Sequence, residues 1–119
     1  MANILIVDDS KTSRKILRGI LEEAGYTIVD EATNGEEGCL KYRELKPDLV
    51  TMDITMPRMD GITALEQIVA FDKNARVVMV SALGKEELVK KSLLTGAKNY
   101  IVKPLDRKKV LERISAALK

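Results

Sequence analysis

Ile4-Leu5-Ile6-Val7-Asp8-Asp9 is a four-residue apolar run that stops on two acids. The same punctuation recurs three times. Leu49-Val50-Thr51-Met52 ends on Asp53, Val77-Val78-Met79-Val80 on Ser81, and Tyr100-Ile101-Val102 on Lys103-Pro104. As parallel strands of one sheet such runs share a C-terminal edge, so side chains as distant in sequence as Asp8 and Lys103 converge in one crevice. Three carboxylates, a hydroxyl and an ammonium then meet, which is the inventory of a metal-dependent phosphoryl site.

Between these runs the apolar residues fall at helical spacing. Ile16, Leu17, Ile20, Leu21 and Ala24 share one face of a first helix that Gly25 stops. A strand over 27–32 follows. Asn34-Gly35-Glu36-Glu37 has the form of a capping box for a second helix, which turns Cys39 and Tyr42 inward and ends before Pro47. The third helix opens near Asp60-Gly61 and buries Ile62, Leu65, Ile68 and Val69. The fourth runs from about Gly84 to Gly96 with a face of Leu88, Val89 and Leu93. Asp106 is placed to cap the fifth, whose stripe is Val110, Leu111, Ile114, Ala117 and Leu118. Alternating strands and helices without repeat or linker imply an α/β fold with a covered parallel sheet.

A length of 119 residues suits one domain with a single extended core. The lone Cys39 has no partner in the chain, fits a buried hydrophobe, and suits a reducing, cytoplasmic setting. A four-residue first apolar run is neither a signal peptide nor a membrane span. Residues 1–84 carry 10 basic and 14 acidic side chains and residues 85–119 carry 10 and 4, so the two parts stand at −4 and +6. Tyr100 is the single aromatic of the basic segment, too little interleaving to favour nucleic acid, so the segment fits an acidic protein partner or a solvated helix face better. Histidine is absent. Any phosphohistidine must therefore come from another molecule.

Magnesium takes octahedral oxygen ligands and keeps several waters, so Asp8, Asp9 and Asp53 suffice to hold it. Taken singly, Asp8, Asp9 or Asp60 serves equally well as a helix N-cap, and a lone Ser81 or Lys103 reads as a turn or a solvated residue. Asp53 stands apart because it closes an apolar strand, where an ionised carboxylate is costly without a function. It can attack phosphorus to form an acyl phosphate, with the metal and Lys103 offsetting charge on the phosphoryl oxygens and Ser81 donating to one of them.

Ile4 to Asp9, Met52-Asp53-Ile54-Thr55-Met56-Pro57-Arg58-Met59-Asp60-Gly61, Ser81-Ala82 and Tyr100 to Pro104 together resemble the receiver domain of two-component response regulators. The resemblance covers essentially the whole chain and is strongest to stand-alone receivers of the chemotaxis type. It implies one receiver domain over residues 1–119, a doubly wound flavodoxin-like (βα)5 fold and a sheet of order 2-1-3-4-5. It implies Asp53 as phosphoacceptor, Asp9 as a direct Mg2+ ligand, Asp8 acting through water and the Thr55 carbonyl as a further ligand. Lys103 would pair with the phosphoryl group, Ser81 would close on it, Tyr100 would be the switch aromatic, and Lys103-Pro104 would be joined by a cis peptide bond. Without the resemblance Tyr100 reads simply as a half-buried strand tyrosine.

By the same resemblance the chain catalyses only its own phosphorylation and dephosphorylation. A histidine kinase or phosphotransfer protein supplies the phosphoryl group. The output target docks on the fourth helix, fifth strand and fifth helix, and neither membrane insertion nor direct nucleic-acid binding is implied. Thr55 and Leu83 flank the approach to Asp53 and are poor at orienting water, which implies a slow reset and a use for a phosphatase partner. Three other protein types share part of this pattern. A haloacid dehalogenase-type phosphatase would need a second aspartate where Thr55 stands. A flavodoxin-like electron carrier would need a hydroxyl-rich phosphate loop. A receiver cut from a DNA-binding regulator or hybrid kinase would share every motif.

Overall fold

The computed structural model describes residues 2–119. Five strands alternate with five helices: β1 Asn3–Val7, α1 Lys11–Glu23, β2 Thr27–Ala32, α2 Gly35–Leu45, β3 Leu49–Asp53, α3 Gly61–Phe71, β4 Val77–Ser81, α4 Glu86–Thr95, β5 Asn99–Val102 and α5 Arg107–Leu118. All pairings are parallel and the order is β2-β1-β3-β4-β5, so the doubly wound architecture and strand order expected from the sequence are those observed.

The apolar runs have their length and continuity because both faces of the sheet are covered. Strand alternation divides them into two layers. Leu5, Val7, Val50, Met52, Val77 and Met79 pack with Cys39 and Tyr42 of α2, Leu65 and Ile68 of α3, and Val89 of α4. Ile4, Ile6, Leu49, Val78 and Ile101 pack with Leu17 and Leu21 of α1 and with Val110 and Ile114 of α5. Because β2 and β3 flank β1 on opposite sides, the connections leave the sheet in opposite directions there and open a crevice at the C-terminal ends of β1 and β3.

The helix starts are set by side-chain caps. Asn34 accepts the Glu37 amide at 2.9 Å, and Glu37 returns the bond to Thr33, one residue before the reciprocal partner of a capping box. Asp60 accepts the Thr63 amide at 2.9 Å. The cap of α1 is Ser10, which accepts the Ser13 amide, leaving Asp8 and Asp9 free of that duty. Lys46 in the left-handed region (φ 44°) stops α2 before Pro47, and Gly25 turns the chain out of α1 with φ 96°.

Four details differ from expectation. Asp106 occupies the N-cap position of α5, but its side chain makes no capping bond and the first turn is closed by its carbonyl alone. Helix α4 begins at Glu86, two residues after Gly84. Its inner face is Val89 and Ser92, so Leu93 lies 40% exposed. The Ser92 hydroxyl is accommodated by donating to the Leu88 carbonyl at 2.8 Å. Ile16 sits at the edge of the α1 stripe, 49% exposed, because the helix packs along Leu17 and Leu21.

Thr51 lies in the middle of β3, paired with Ile6 on one side and Val78 on the other. Its Oγ1 is buried with no hydrogen-bond partner among the described residues. An unpaired buried hydroxyl costs about 1–3 kcal/mol. Thr51→Val keeps the β-branched shape, so it is expected to raise unfolding free energy by about 1 kcal/mol or more in a denaturant titration.

Candidate functional site

The register Val7↔Met52 sets the end of β1 beside the end of β3 and brings Asp8 and Asp9 alongside Asp53. Carboxylate oxygens of the three lie within 4.8 Å of one another, with Asp8 and Asp53 buried and Asp9 exposed. The Asp8 amide donates to the Ala32 carbonyl of β2, and Asp8 Oδ1 accepts the Ser10 amide at 2.8 Å. From the end of β5, Lys103 Nζ reaches Asp8 Oδ2 at 3.1 Å and Asp53 Oδ2 at 3.7 Å. The Lys103 amide donates to the Ser81 carbonyl, and the Lys103-Pro104 bond is cis.

The loop after β3 is pinned at both ends. The Ile54 amide donates to the Val80 carbonyl at 2.9 Å, and the Ile54 carbonyl accepts the Gly61 amide at 2.7 Å. A methyl group on Gly61 would overlap the Asp53 carbonyl, so only glycine lets α3 start this close to the carboxylate-bearing strand end. Thr55, two residues after Asp53, is exposed.

Ser81 of β4 and Tyr100 of β5 line one groove and are differently engaged. Ser81 is buried, and its hydroxyl donates to the adjoining Ala82 carbonyl at 2.9 Å instead of to a carboxylate. Tyr100 is half-buried, with the Arg113 guanidinium 4.7 Å from its ring centroid. Arg113 also donates to Asn99 Oδ1, so α5 holds the tyrosine from above. Sequence reasoning passed over Arg113, and also Arg14, whose Nη1 donates to the Asp8 carbonyl at 2.8 Å. The signal for Arg14 was its place on the inner side of the first turn of α1, beside the acid pair.

Burial is the main force acting on Asp53. It pushes the carboxyl up to about 7, the neighbouring charge of Asp8 pushes the same way, and Lys103 opposes both. Three carboxylates against one ammonium leave a deficit that a divalent, oxygen-preferring cation fits.

A family model described as "Response regulator receiver domain" matches residues 4–115. The chain belongs to the response regulator receiver family. Among receivers it is 65% identical over 118 residues to the chemotaxis protein CheY of Treponema pallidum, covering 98% of this chain and 82% of that one. It is 47% identical to the CheY of Thermotoga maritima, covering 98% and 97%. A solved CheX-CheY-BeF3-Mg2+ complex from Borrelia burgdorferi contains a chain of the same fold, with TM-score 0.95 and 55% identity over 99% of this chain and 90% of that one. Receivers are signalling switches, and the phosphatase and electron-carrier readings are set aside.

The displaced Asp53 gives this receiver a pH signature. Its folded carboxyl binds a proton more tightly than the unfolded one, so folding takes up a proton between about pH 4 and about pH 7. Stability of the metal-free protein from this group is therefore greatest at the acid end of that window and is lost as pH rises through about 7. The chain has no histidine, whose ordinary titration would overlie this window. Urea titrations are expected to show unfolding free energy falling across that interval, with the slope flattened in Asp53→Asn and that variant the more stable of the two at pH 8.

Proposed function

We propose that this receiver, spanning residues 1–119, is a phosphorylation-activated switch of the chemotaxis type. The observation that supports it most is the meeting of Asp8, Asp9, Asp53 and Lys103 at one sheet edge. Asp53 attacks the phosphorus of a donor phosphohistidine; an oxygen–phosphorus bond forms as the phosphorus–nitrogen bond breaks, and the donor imidazole leaves with a proton. The donor is a histidine kinase or phosphotransfer protein, since the chain has no histidine of its own. Asp8, Asp9, Asp53 and the Thr55 carbonyl would hold Mg2+, which when bound supplies positive charge for the phosphoryl oxygens. Lys103, already between Asp8 and Asp53, adds a second positive charge at the same place. The chain thereby catalyses only its own phosphorylation and its reversal.

The change of state runs through Ser81 and Tyr100. For Ser81 to donate to the phosphoryl group it must release the Ala82 carbonyl, a small movement at the root of the loop leading into α4. Tyr100 lines a groove with Ser81, Leu83, Val89 and Val102, so the two residues share one space through which the shift can pass. On the side of α4, β5 and α5, Lys90 and Lys109 line grooves shared with Tyr100 and Val102, and Leu94 of α4 is 81% exposed. A cytoplasmic protein target with an apolar contact and acidic rim fits that face. The solved complex of a similar chain with CheX gives a precedent for a second protein partner.

Thr55 and Leu83, which is 78% exposed, are both open to solvent, so a slow reset would rest on their poor ability to orient water and not on sealing the approach to Asp53. Replacing the first with an amide that can orient water, Thr55→Asn, is expected to shorten the phosphorylated lifetime, read as phosphate loss after donor removal.

Incubation with acetyl phosphate and Mg2+ followed by intact mass measurement tests the reading. One added phosphoryl group is expected, absent in Asp53→Asn and slowed by more than about tenfold in Asp9→Ala. Phosphorylation that persists undiminished in Asp53→Asn, or that proceeds equally without Mg2+, would overturn it.

A further inference from the structure

The peptide joining Asp8 to Asp9 lies just past the end of β1, where its carbonyl has left the sheet ladder. That carbonyl accepts Arg14 Nη1 at 2.8 Å, while Arg14 Nε donates to Glu31 Oε1 at 2.8 Å. The Arg14 side chain is only 14% exposed. Glu31 is held in turn: its other oxygen accepts Arg18 Nη1 at 2.6 Å, and its carbonyl accepts Lys41 Nζ at 2.6 Å. Burial works against ionisation of Glu31, but the two guanidiniums outweigh it and hold the carboxyl below its ordinary value. The result is a chain of contacts from β2 through α1 to the backbone that carries two of the three clustered acids.

We infer that Arg14, aimed by Glu31, is a positioning residue that fixes the Asp8–Asp9 peptide plane and so sets the directions in which both carboxylates enter the site. A planar guanidinium makes the two bonds at once at a fixed angle, which a lysine ammonium at the end of a flexible stem does not. Groups that orient metal ligands from behind change metal affinity without touching the ion. The inference rests on the Mg2+ site proposed above.

Charge alone and positioning make opposite demands. Arg14 is a cation close to a cation site, so removing its charge should tighten Mg2+ binding if electrostatics were its only role. Loss of the clamp should weaken it. Calorimetric Mg2+ titration of the full chain is expected to give about tenfold weaker binding for Arg14→Met. Arg14→Lys, which restores the charge but not the fork, should stay well below the unaltered protein. Amide hydrogen exchange at Ser10, whose N–H donates to Asp8 Oδ1, should quicken in both variants without metal present, while thermal unfolding shows them folded. Should Arg14→Met fail to fold, Arg14→Lys alone decides. Equal or tighter Mg2+ binding in the folded variant, or Ser10 exchange unchanged, would overturn the positioning role while leaving the metal site standing. Absence of Mg2+ binding by the unaltered protein would remove the site itself, and this role with it.

Discussion

Everything at the functional edge depends on one unfavourable contact: buried Asp53 beside buried Asp8, with Asp9 close by and a single ammonium to offset them. A carboxylate taken out of water resists ionisation, and a like charge nearby adds to the resistance. Such an arrangement persists only because the surrounding structure over-determines it. Strands β1 and β3 are buried along almost their whole length, Gly61 locks the loop after Asp53, and Ser10 takes the capping role that either acid could have filled. In the switch proposed above the same tension would be the source of function, a divalent cation and then a phosphoryl group changing a charge balance that the rest of the fold holds in place.

The two helical layers have different parts in this. The layer of α1 and α5 brings Arg14 to the back of the acid pair and Arg113 onto the Tyr100 ring. The layer of α2, α3 and α4 carries Gly61 and the groove between Ser81 and Tyr100. On the proposed reading, ligand orientation and output draw on opposite faces of the sheet. Changes on α1 would bear on metal affinity, and changes near α4 on response.

Much of this was legible in the sequence because the sheet is parallel and covered: continuous apolar runs ending on polar residues mark both the strands and their functional ends. The carboxylates and Lys103 could be placed together on that ground alone. Helix phase was harder where a polar residue points inward. Ser92 on the inner face of α4 disguised the stripe and made Leu93 look buried, since a hydroxyl satisfied by its own helix carries no apolar signal. Asp106 looked like a cap because residue type fits the position, but type does not fix where the side chain points. The helical period puts Arg14 on the side of Leu17 and Leu21, but it does not encode that the guanidinium bonds the Asp8 carbonyl, because that contact joins side chain to backbone.

The most direct measurement is a carbon-13 NMR titration of the Asp53 carboxyl, first without metal and then with saturating Mg2+. The charge conflict at the sheet edge requires an inflection near pH 7 in the metal-free protein, moved well down once Mg2+ is bound. An Asp53 that titrates at the ordinary aspartate value of about 4 and does not respond to Mg2+ would contradict the account.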